Sequence, residues 1–600
     1  MSSISISFSF SFSISSSSSP SPPDPVHMAE ACDAAVPYIL LGFLLPGGAA
    51  APAPPGGSAF LRAYAARVTN ALLWAALLAV TFLLVRRLAG LVKLWIKGSQ
   101  IPGPSSTPFF GRGDLVAACG SGADLSGYLS KLHHKYGPIV RLWLGPTQLL
   151  VSVKDTGLIN EVLMKAEDKL PLTGKAYQLA FGRSSLFASS FEQVKKGRES
   201  LAEYLNAKLD ERTNLNLVKV VETILGRVDS IMAKGFLDCR VFAQHIAFYI
   251  LGATIFGEAF LDWPNSTMYE ELLMMVAKDG CFWASCKVPP FWSVGYWRYH
   301  LLCAKLKHLT REIVQLYRCN YSTATQDDLK KCTGTQQVGE EIRMESTSLL
   351  NNVISGSFIQ CDIDGYLCSQ EEPCGNILGL MFHGSLAIAS LIGGVITRLV
   401  LHPELQGKLY SEIIATRKRN SQLETSDVQN MQLLLSTVYE SARLLPAGPL
   451  LQRCSLEHDL SLKSSITLPA GAILVVPLQL VQMDYSIWGN DACEFNPCRF
   501  LSKATGLKDG NSEIHESGKR PFVRDPNKNA AFLPFGSGTR ACVGQKFALH
   551  SISRVLAYLL QNYEIRLQPG VSGEPKPTMD DCILQLLPSP KIVLKRRTEQ

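Results

Sequence analysis

The chain has 600 residues, of which 46% are hydrophobic and 18% charged, enough apolar material for a large core and a membrane contact. The net charge of +7 is small for this length, and the lysines and arginines are dispersed rather than clustered with aromatic residues, which argues against nucleic-acid binding. The 16 cysteines include no C-x-x-C pair, so we predict no disulfide framework and expect most thiols to be buried apolar residues.

The first 67 residues are of low complexity, and we predict that they are disordered. Residues 1–27 are rich in serine and contain no lysine or arginine, so they match neither a secretory signal nor an arginine-rich mitochondrial presequence. Two alternatives stay open for them: a plastid transit peptide, or translation that begins at Met28. A stretch rich in proline, alanine and glycine at 46–58 has the composition of a linker.

An uncharged, nearly all-apolar run at residues 68–85 predicts a transmembrane helix. Its length of roughly 27 Å, at ~1.5 Å per residue, is about the thickness of a hydrocarbon core. More basic residues follow the run than precede it, which places the downstream side in the cytosol. The alternative, a buried core helix, is disfavoured by the Pro-rich hinge at 101–104. We therefore expect an anchor with a basic flank at 68–98 and a catalytic domain at 99–600.

The pattern beyond the hinge predicts a mixed α/β domain that is mainly helical. Residues 135–153 have the pattern of a strand, a Gly-Pro turn and a second strand. Periodicity predicts mainly helices from about 155 to 445, interrupted by an aromatic-rich block at 281–299. Short strands and turns follow from 446 to 535, and a last helix begins near Gly544.

The strongest chemical signal lies at residues 535–544. Cys542 precedes the last predicted helix, whose N-terminal amides and dipole favour a thiolate. Gly536 and Gly538 allow the backbone to bulge tightly beneath a flat macrocycle. Arg540 can pair with a carboxylate of that macrocycle. The segment therefore has the residues that a thiolate ligand of a haem iron requires.

These positions match the haem-binding signature F-x-x-G-x-R-x-C-x-G at every fixed position. On this segment the chain resembles the cytochrome P450 superfamily, as a plant-like microsomal member. The resemblance covers about residues 101–595 and implies the cytochrome P450 fold, behind an N-terminal transmembrane helix, with haem b (iron protoporphyrin IX) as the cofactor. It implies that Cys542 is the iron ligand and that the haem is held by the other fixed positions: Phe535, Gly538, Arg540 and Gly544.

Two further arginines match the family less closely. Arg453 corresponds to a second residue that binds a haem propionate. Arg198 corresponds to the arginine of a W-x-x-x-R motif, although the tryptophan is Val194 here. The alternative for Arg198 is an ordinary surface arginine.

A charged network is implied by two more motifs. Glu440 and Arg443 are spaced i,i+3 on one predicted helix face, as in the family's K helix. The pair at Glu340 and Arg343 has the same spacing but lacks that context. Residues 495–500 match the segment F-x-P-x-R-F and contribute Arg499. The resemblance thus implies a network of Glu440, Arg443 and Arg499 behind the haem.

The chain departs from the family at residues 383–388, where the family has A-G-x-[D/E]-T-T. Gly384 is kept, but Leu386 and Ala387 stand in place of the acid and the alcohol. In the family this pair helps to deliver protons during dioxygen activation. Ordinary dioxygen activation is therefore open to question in this chain.

Three residues of this atypical central helix are the candidate catalytic positions: His383, Gly384 and Ser385. The side chains of His383 and Ser385 could organise water in place of the missing pair. The alternative for His383 is a core histidine with a structural role.

The leading interpretation is a monooxygenase that inserts one oxygen atom into a small lipophilic substrate, with electrons from an NADPH-dependent reductase. We expect it in the endoplasmic reticulum membrane, with the catalytic domain facing the cytosol; a plastid membrane is the alternative. Two rival functions stay open: a non-redox isomerase or dehydratase of peroxides, and a haem-binding protein without turnover. Apolar pocket residues do not identify the substrate.

Overall fold

The computed structural model separates the chain into two compact units, residues 1–88 and 89–600. Apart from short internal gaps, it describes these residues: 57–104, 125–166, 179–211, 219–226, 236–279, 292–331, 372–417, 430–501, 525–569, 578–579, 586–587 and 590–597. The serine-rich segment with its two alternatives lies outside them, as does the pair of Glu340 and Arg343.

Helix α1 (Gly57–Ser99) contains the predicted membrane span and begins upstream of it. Every residue from 64 to 90 is exposed to solvent in the structure. Among the described residues, two other helices are long and apolar enough to cross a membrane, but 72% of each relevant window is buried in protein, against 0% for α1. A fully exposed apolar helix of this length favours a membrane span over a buried core helix.

The helices that follow dominate the chain, as the periodicity predicts. Their bounds are α2 (Leu125–Tyr136), α3 (Thr156–Lys165), α4 (Phe191–Glu211), α5 (Cys239–Phe256), α6 (Ser266–Asp279), α7 (Val294–Lys331), α8 (Glu372–Leu401), α9 (Pro403–Arg417), α10 (Gln432–Leu444), α11 (Leu478–Gln482), α12 (Tyr485–Trp488) and α13 (Gln545–Asn562). Helix α13 begins one residue after the predicted start at Gly544.

The main sheet has four strands in the order β1-β2-β7-β4. Strands β1 (Ile139–Trp143) and β2 (Leu149–Val153) form the predicted antiparallel pair, with Ile139 opposite Val153. Strand β7 (Ile473–Pro477) runs parallel to β2 and antiparallel to β4 (Leu450–Cys454). All residues of β2 and β7 are buried, as expected of central strands covered on both faces.

The remaining strands are short and lie in three small sheets. Strand β3 (Leu237–Asp238) and strand β8 (Tyr563–Leu567) flank β11 (Lys591–Arg596). The other two sheets are the pairs β5 (Leu460–Ser461) with β6 (Thr467–Leu468), and β9 (Thr578–Met579) with β10 (Leu586–Leu587). The mixed, mainly helical fold predicted from the sequence is therefore confirmed.

Helix α8 is the central element of the core, and it packs most extensively against α5. A close approach between the two helices depends on Gly384, since a Cβ atom there would lie 2.6 Å from Cδ2 of Leu251. Most residues of α8 are buried, including Ile392, Val395 and Ile396. This packing fixes the face that α8 presents to the candidate site.

Candidate functional site

The loop before α13 folds back on itself and places Cys542 at its end. The amide of Cys542 donates to the carbonyl of Phe535 (2.8 Å), and the amide of Gly536 donates to the carbonyl of Leu533 (2.9 Å). A single 3-10 turn spans Gly538–Arg540. Helix α13 begins three residues after Cys542, and the N-terminal amides of a helix favour a nearby thiolate.

Gly538 is required by the backbone of this loop. Its φ of +70° lies in the left-handed region, and a Cβ atom there would sit 2.3 Å from the carbonyl oxygen of Leu163 in α3. Any other residue would have to displace a helix backbone. The loop is thus pressed against α3 in a way that only glycine permits.

A cavity of about 350 Å³ lies between this loop and the central helix. The loop contributes its thiol, which is accessible, together with Phe535 and Gly544. Helix α8 contributes Leu380, His383, Gly384, Ala387 and Ile388. Other apolar lining residues come from the segment before α4 and from α4, α5, β4 and α13: Leu186, Phe187, Leu201, Leu205, Leu251, Leu451, Phe547 and Ala548.

Two arginines give this apolar cavity a positive charge. Arg540 is only 5% exposed, and its guanidinium lies 5.1 Å from the ring centre of Phe191. Arg198 in α4 donates from Nη2 to the carbonyl of Ala541 (2.7 Å). Burial lowers the pKa of Arg198, and the nearby Cys542 partly offsets this by raising it. No acidic side chain occurs among the described residues that line the cavity.

These residues fit a haem. A thiolate at the N-terminus of a helix can bind the iron, and apolar side chains can cover the porphyrin. Two cations, the buried Arg540 and the partly buried Arg198, line a cavity whose described residues include no acid, and they match the two propionates, which are the haem's charged groups. Arg198 is therefore placed where the weak sequence match requires it, in the cavity rather than on the outer surface.

The predicted network of Glu440, Arg443 and Arg499 is assembled in the structure. Glu440 and Arg443 are both fully buried, and the carboxylate accepts from Nε (2.8 Å) and Nη2 (2.7 Å) of Arg443. Nε of Arg499 lies 3.5 Å from Oε1 of Glu440, and the amide of Asn496 donates to the same oxygen (3.0 Å). Every charge is thus paired or hydrogen-bonded.

The same arginines also anchor the loop that follows α12. Arg443 donates from Nη1 to the carbonyls of Gln482 (2.5 Å) and Ala492 (2.6 Å), and Arg499 donates from Nη1 to that of Trp488 (2.6 Å). Because the network binds backbone rather than substrate, its role is to fix the polypeptide between α12 and the 3-10 turn Pro497–Phe500.

The three candidate catalytic residues of α8 differ in whether they line the cavity. His383 and Gly384 line the cavity, whereas Ser385 does not. Ser385 is buried and donates its hydroxyl to the carbonyl of Met381 (2.5 Å), one turn earlier. Leu386 is likewise buried outside the cavity lining. Water organised by Ser385, as the sequence suggested, is therefore not supported by this geometry.

Two other predictions concern Arg453 as a haem-binding residue and the burial of most cysteines. Arg453 lies in β4 opposite Leu474, but its side chain is outside the described part of the structure. Among the described cysteines, Cys239 and Cys303 are buried as expected. Cys493 and Cys498 are exposed, contrary to the expectation of mostly buried thiols. Cys493 lies in the surface loop that the charged network anchors, and Cys498 lies in the 3-10 turn that follows it.

Several cavity residues were not found from the sequence. Leu201 and Leu205 lie three and seven positions after Arg198, so helical spacing alone could have assigned them to the same face of α4. Phe187 also lines the cavity, but it comes from a connecting segment with no periodic signal. Only the tertiary fold brings it there.

The loop, the thiol and the cationic apolar cavity define a haem-thiolate site. A family model described as Cytochrome P450 matches residues 101–596. The chain therefore belongs to the cytochrome P450 family, whose cofactor is haem b, and it is a cytochrome P450 oxidoreductase. The resemblance read from the sequence, to a plant-like member, is confirmed.

Curated plant proteins are similar to this chain. Cytochrome P450 72A397 of Kalopanax septemlobus is 25% identical over 74% of this chain and 78% of its own. The 11-oxo-beta-amyrin 30-oxidase of Glycyrrhiza uralensis is 34% identical over 32% of this chain and 33% of its own. The indoleacetaldoxime dehydratase of Arabidopsis thaliana is 29% identical over 36% and 40%. The last two alignments thus span well under half of the relatives' length.

Proposed function

We propose that this protein is a membrane-bound monooxygenase that inserts one oxygen atom into a small lipophilic substrate. The observation that carries the proposal is the accessible thiol of Cys542 in a cavity that is otherwise apolar and cationic. When bound there, haem supplies the activation of dioxygen. The chain supplies the thiolate, the cations for the propionates, and apolar side chains that exclude water and hold a lipophilic molecule.

The partners and the location belong to the same proposal. Electrons come from an NADPH-dependent reductase, and α1 holds the protein in the endoplasmic reticulum membrane with residues 99–600 on the cytosolic side. The exposed apolar surface of α1 and the basic excess after it support this orientation. A plastid membrane is the alternative location. The name of the Glycyrrhiza relative, an oxidase of an oxo-amyrin, is compatible with a lipophilic substrate.

The test uses the full chain in lipid vesicles with a plant NADPH-dependent reductase. A panel of lipophilic compounds is first screened by the shift that each causes in the haem absorption spectrum. Compounds that bind are then incubated with NADPH under ¹⁸O₂. We expect a product that carries one ¹⁸O atom and forms only with the reductase. Products without ¹⁸O, or formed equally well without the reductase, would overturn the proposal.

A second candidate is a haem-thiolate dehydratase or isomerase that needs no dioxygen. Two observations favour it: Leu386 and Ala387 stand at the positions of the family's acid and alcohol, and one relative is named a dehydratase. This function predicts turnover of a peroxide or an oxime without NADPH and without incorporation of ¹⁸O. If neither reaction is found while haem is fully bound, the protein is a haem-binding protein without turnover.

A further inference from the structure

One face of α8 points into the haem cavity, and it carries a single side chain able to bind a metal. Leu380, His383, Gly384 and Ala387 are spaced i, i+3, i+4 and i+7, and all four line the cavity. The adjacent residues Phe382 and Leu386 are buried outside the lining. Among these four positions only His383 offers a nitrogen lone pair.

Three phenylalanines hold the imidazole of His383 in place. The ring of Phe187 is stacked on it, with centroids 5.1 Å apart and an interplanar angle of 24°. Phe181 (5.8 Å) and Phe382 (5.1 Å) meet it edge-on. Offset stacking and edge contacts of this kind fix the plane of a ring. The imidazole is therefore oriented by packing before any haem is bound.

The cavity face of α8 carries little bulk one turn after His383, where Ala387 has only a methyl group. Gly384 adds no room, since Leu251 of α5 fills the place of its side chain. The other described nitrogen groups in the cavity are the guanidinium groups of Arg198 and Arg540, which have no lone pair to offer a metal. Neutral imidazole, in contrast, is a frequent iron ligand.

We propose that His383 is a second protein ligand of the haem iron, bound on the side away from Cys542 in the resting ferric protein. Cys542 and His383 lie in the same cavity but on different elements, the loop before α13 and the centre of α8. Protein groups would then supply both of the iron ligands that the porphyrin does not provide. This inference requires the haem-thiolate centre but not the proposed oxygenation, so each can fail without the other.

The proposal has a direct consequence for small ligands. Cyanide and imidazole must displace His383 before they can bind the iron. If the histidine occupies the iron in nine of ten molecules, the apparent affinity for either ligand falls about tenfold. We therefore expect His383→Ala to bind cyanide at least about tenfold more tightly than the native protein. Equal affinities would overturn the proposal.

His402→Ala is a matched control for this substitution. His402 follows the last residue of α8, is 37% exposed, and is also stacked on a phenylalanine ring, that of Phe495 at 5.3 Å. It does not line the cavity. We expect its replacement to leave cyanide binding unchanged. An equal gain of affinity in both variants would point to general loosening of the fold and would contradict the proposal.

A measurement on the native protein keeps the proposal testable if His383→Ala fails to bind haem. The full chain is produced with ¹⁵N-labelled histidine, and the ferric protein is studied by pulsed electron paramagnetic resonance. We expect the strong ¹⁵N coupling of a nitrogen bound directly to iron, lost in His383→Ala and kept in His402→Ala. Absence of that coupling in the native protein overturns the proposal. The absorption spectrum of the reduced carbon monoxide complex reports separately whether the haem-thiolate centre has formed.

Discussion

Accessibility distinguishes Cys542 from the buried Cys239 and Cys303 but not from every described cysteine. Cys493 and Cys498 are also exposed. What differs is the backbone, because only Cys542 lies on the folded-back loop next to the N-terminus of α13 and faces the cavity. A thiolate is stabilised by helix N-terminal amides and not by an ordinary surface loop. The chemistry of a single residue thus depends on the elements that flank it.

Replacement of Cys542 by alanine should abolish the thiolate haem spectrum. The reason is that no other described thiol lines the cavity. The measurement is the absorption spectrum of the reduced protein with carbon monoxide. Cys493→Ala and Cys498→Ala are the controls, and both should keep the native spectrum. An unchanged spectrum in Cys542→Ala would show that another group binds the iron.

Replacement of Glu440 by alanine should give misfolded, haem-free protein rather than a slower enzyme. Both Glu440 and Arg443 are fully buried, and breaking such a pair typically costs about 3–5 kcal/mol because one charge is left stranded. The measurement is the ratio of haem to protein after purification. Glu404→Ala is the control, since the Glu404 side chain is 70% exposed. Its Oε1 lies 3.7 Å from Nδ1 of His402, which is a loose contact at the surface. Soluble, haem-loaded Glu440→Ala would contradict the role of the network.

The sequence identified the charged residues of the network but not the backbone carbonyls to which its arginines donate. Glu440, Arg443 and Arg499 were found by motif, and the structure brings them together. The carbonyls of Gln482 and Ala492 could not be found, because any residue type offers the same backbone oxygen. The position of Arg443 over the ring of Trp488, at 5.0 Å, depends likewise on the fold.

At the scale of elements, local patterns predict which segments form and long-range packing decides what they face. The pair β1 and β2 is predicted because a Gly-Pro turn separates two apolar runs. The parallel pairing of β2 with β7 joins segments more than 300 residues apart and carries no local signal. The face of α8 that lines the cavity is also not predicted locally, since the helix is largely apolar around its circumference.

His133 links helix α2 to strand β2 and should make this link sensitive to pH. Its Nδ1–H donates to the carbonyl of Gly137 (2.9 Å), so Nε2 is left to accept from the hydroxyl of Ser152 (2.8 Å). Burial lowers the pKa of His133 below its ordinary 6.5, the carbonyl of Gly137 partly raises it again, and Lys154 lowers it further. The folded state therefore favours the neutral form of His133.

The stability that His133 contributes should be present above about pH 6.5 and be lost as the pH falls through its lower folded pKa. Replacement by glutamine removes this titration. We expect native protein to be more stable than His133→Gln at pH 7.5, and the difference in melting temperature to shrink toward pH 5. His134→Gln is the control, because the adjacent His134 is exposed. A constant difference between native protein and His133→Gln across this range would contradict the prediction.

At the scale of the whole molecule, the anchor and the haem domain should be separable. The boundary between the two units falls after Leu88, and Leu94 and Trp95 pack against the core of the second unit. Deletion of residues 1–88 should therefore weaken membrane attachment while the haem domain still folds. The measurements are the carbonate-resistant membrane fraction and the carbon monoxide spectrum.

Deletion of residues 1–98 provides a comparison, because it also removes Leu94 and Trp95. We expect this shorter protein to be less stable than the one that starts at residue 89. Some affinity for membranes should persist in both, since Trp292 and Trp297, at the end of the predicted aromatic block, are 74% and 56% exposed. Residues 281–291 of that block lie outside the described part. Full retention in the membrane fraction would rule out α1 as the main anchor.

The departure of α8 from the family pattern should appear in the turnover of the whole enzyme. With Leu386 and Ala387 in place of the acid and the alcohol, proton delivery during dioxygen activation should be impaired. We expect slow turnover in which little of the NADPH consumed yields product. Hydrogen peroxide, which bypasses electron delivery, should raise activity disproportionately. The measurement is product formed per NADPH consumed.

The variant Leu386→Asp with Ala387→Thr restores the pair and should raise that ratio. Because Leu386 is only 5% exposed, a carboxylate at this position is buried and stays protonated unless it gains a partner. Ala387→Thr alone separates the two effects, because residue 387 lines the cavity and its hydroxyl can reach water. Tight coupling in the native protein would contradict impaired delivery, and it would leave His383 as the cavity residue on α8 able to carry a proton. In that case His383→Ala should lower the ratio, whereas an unchanged ratio would show that His383 has no part in proton delivery.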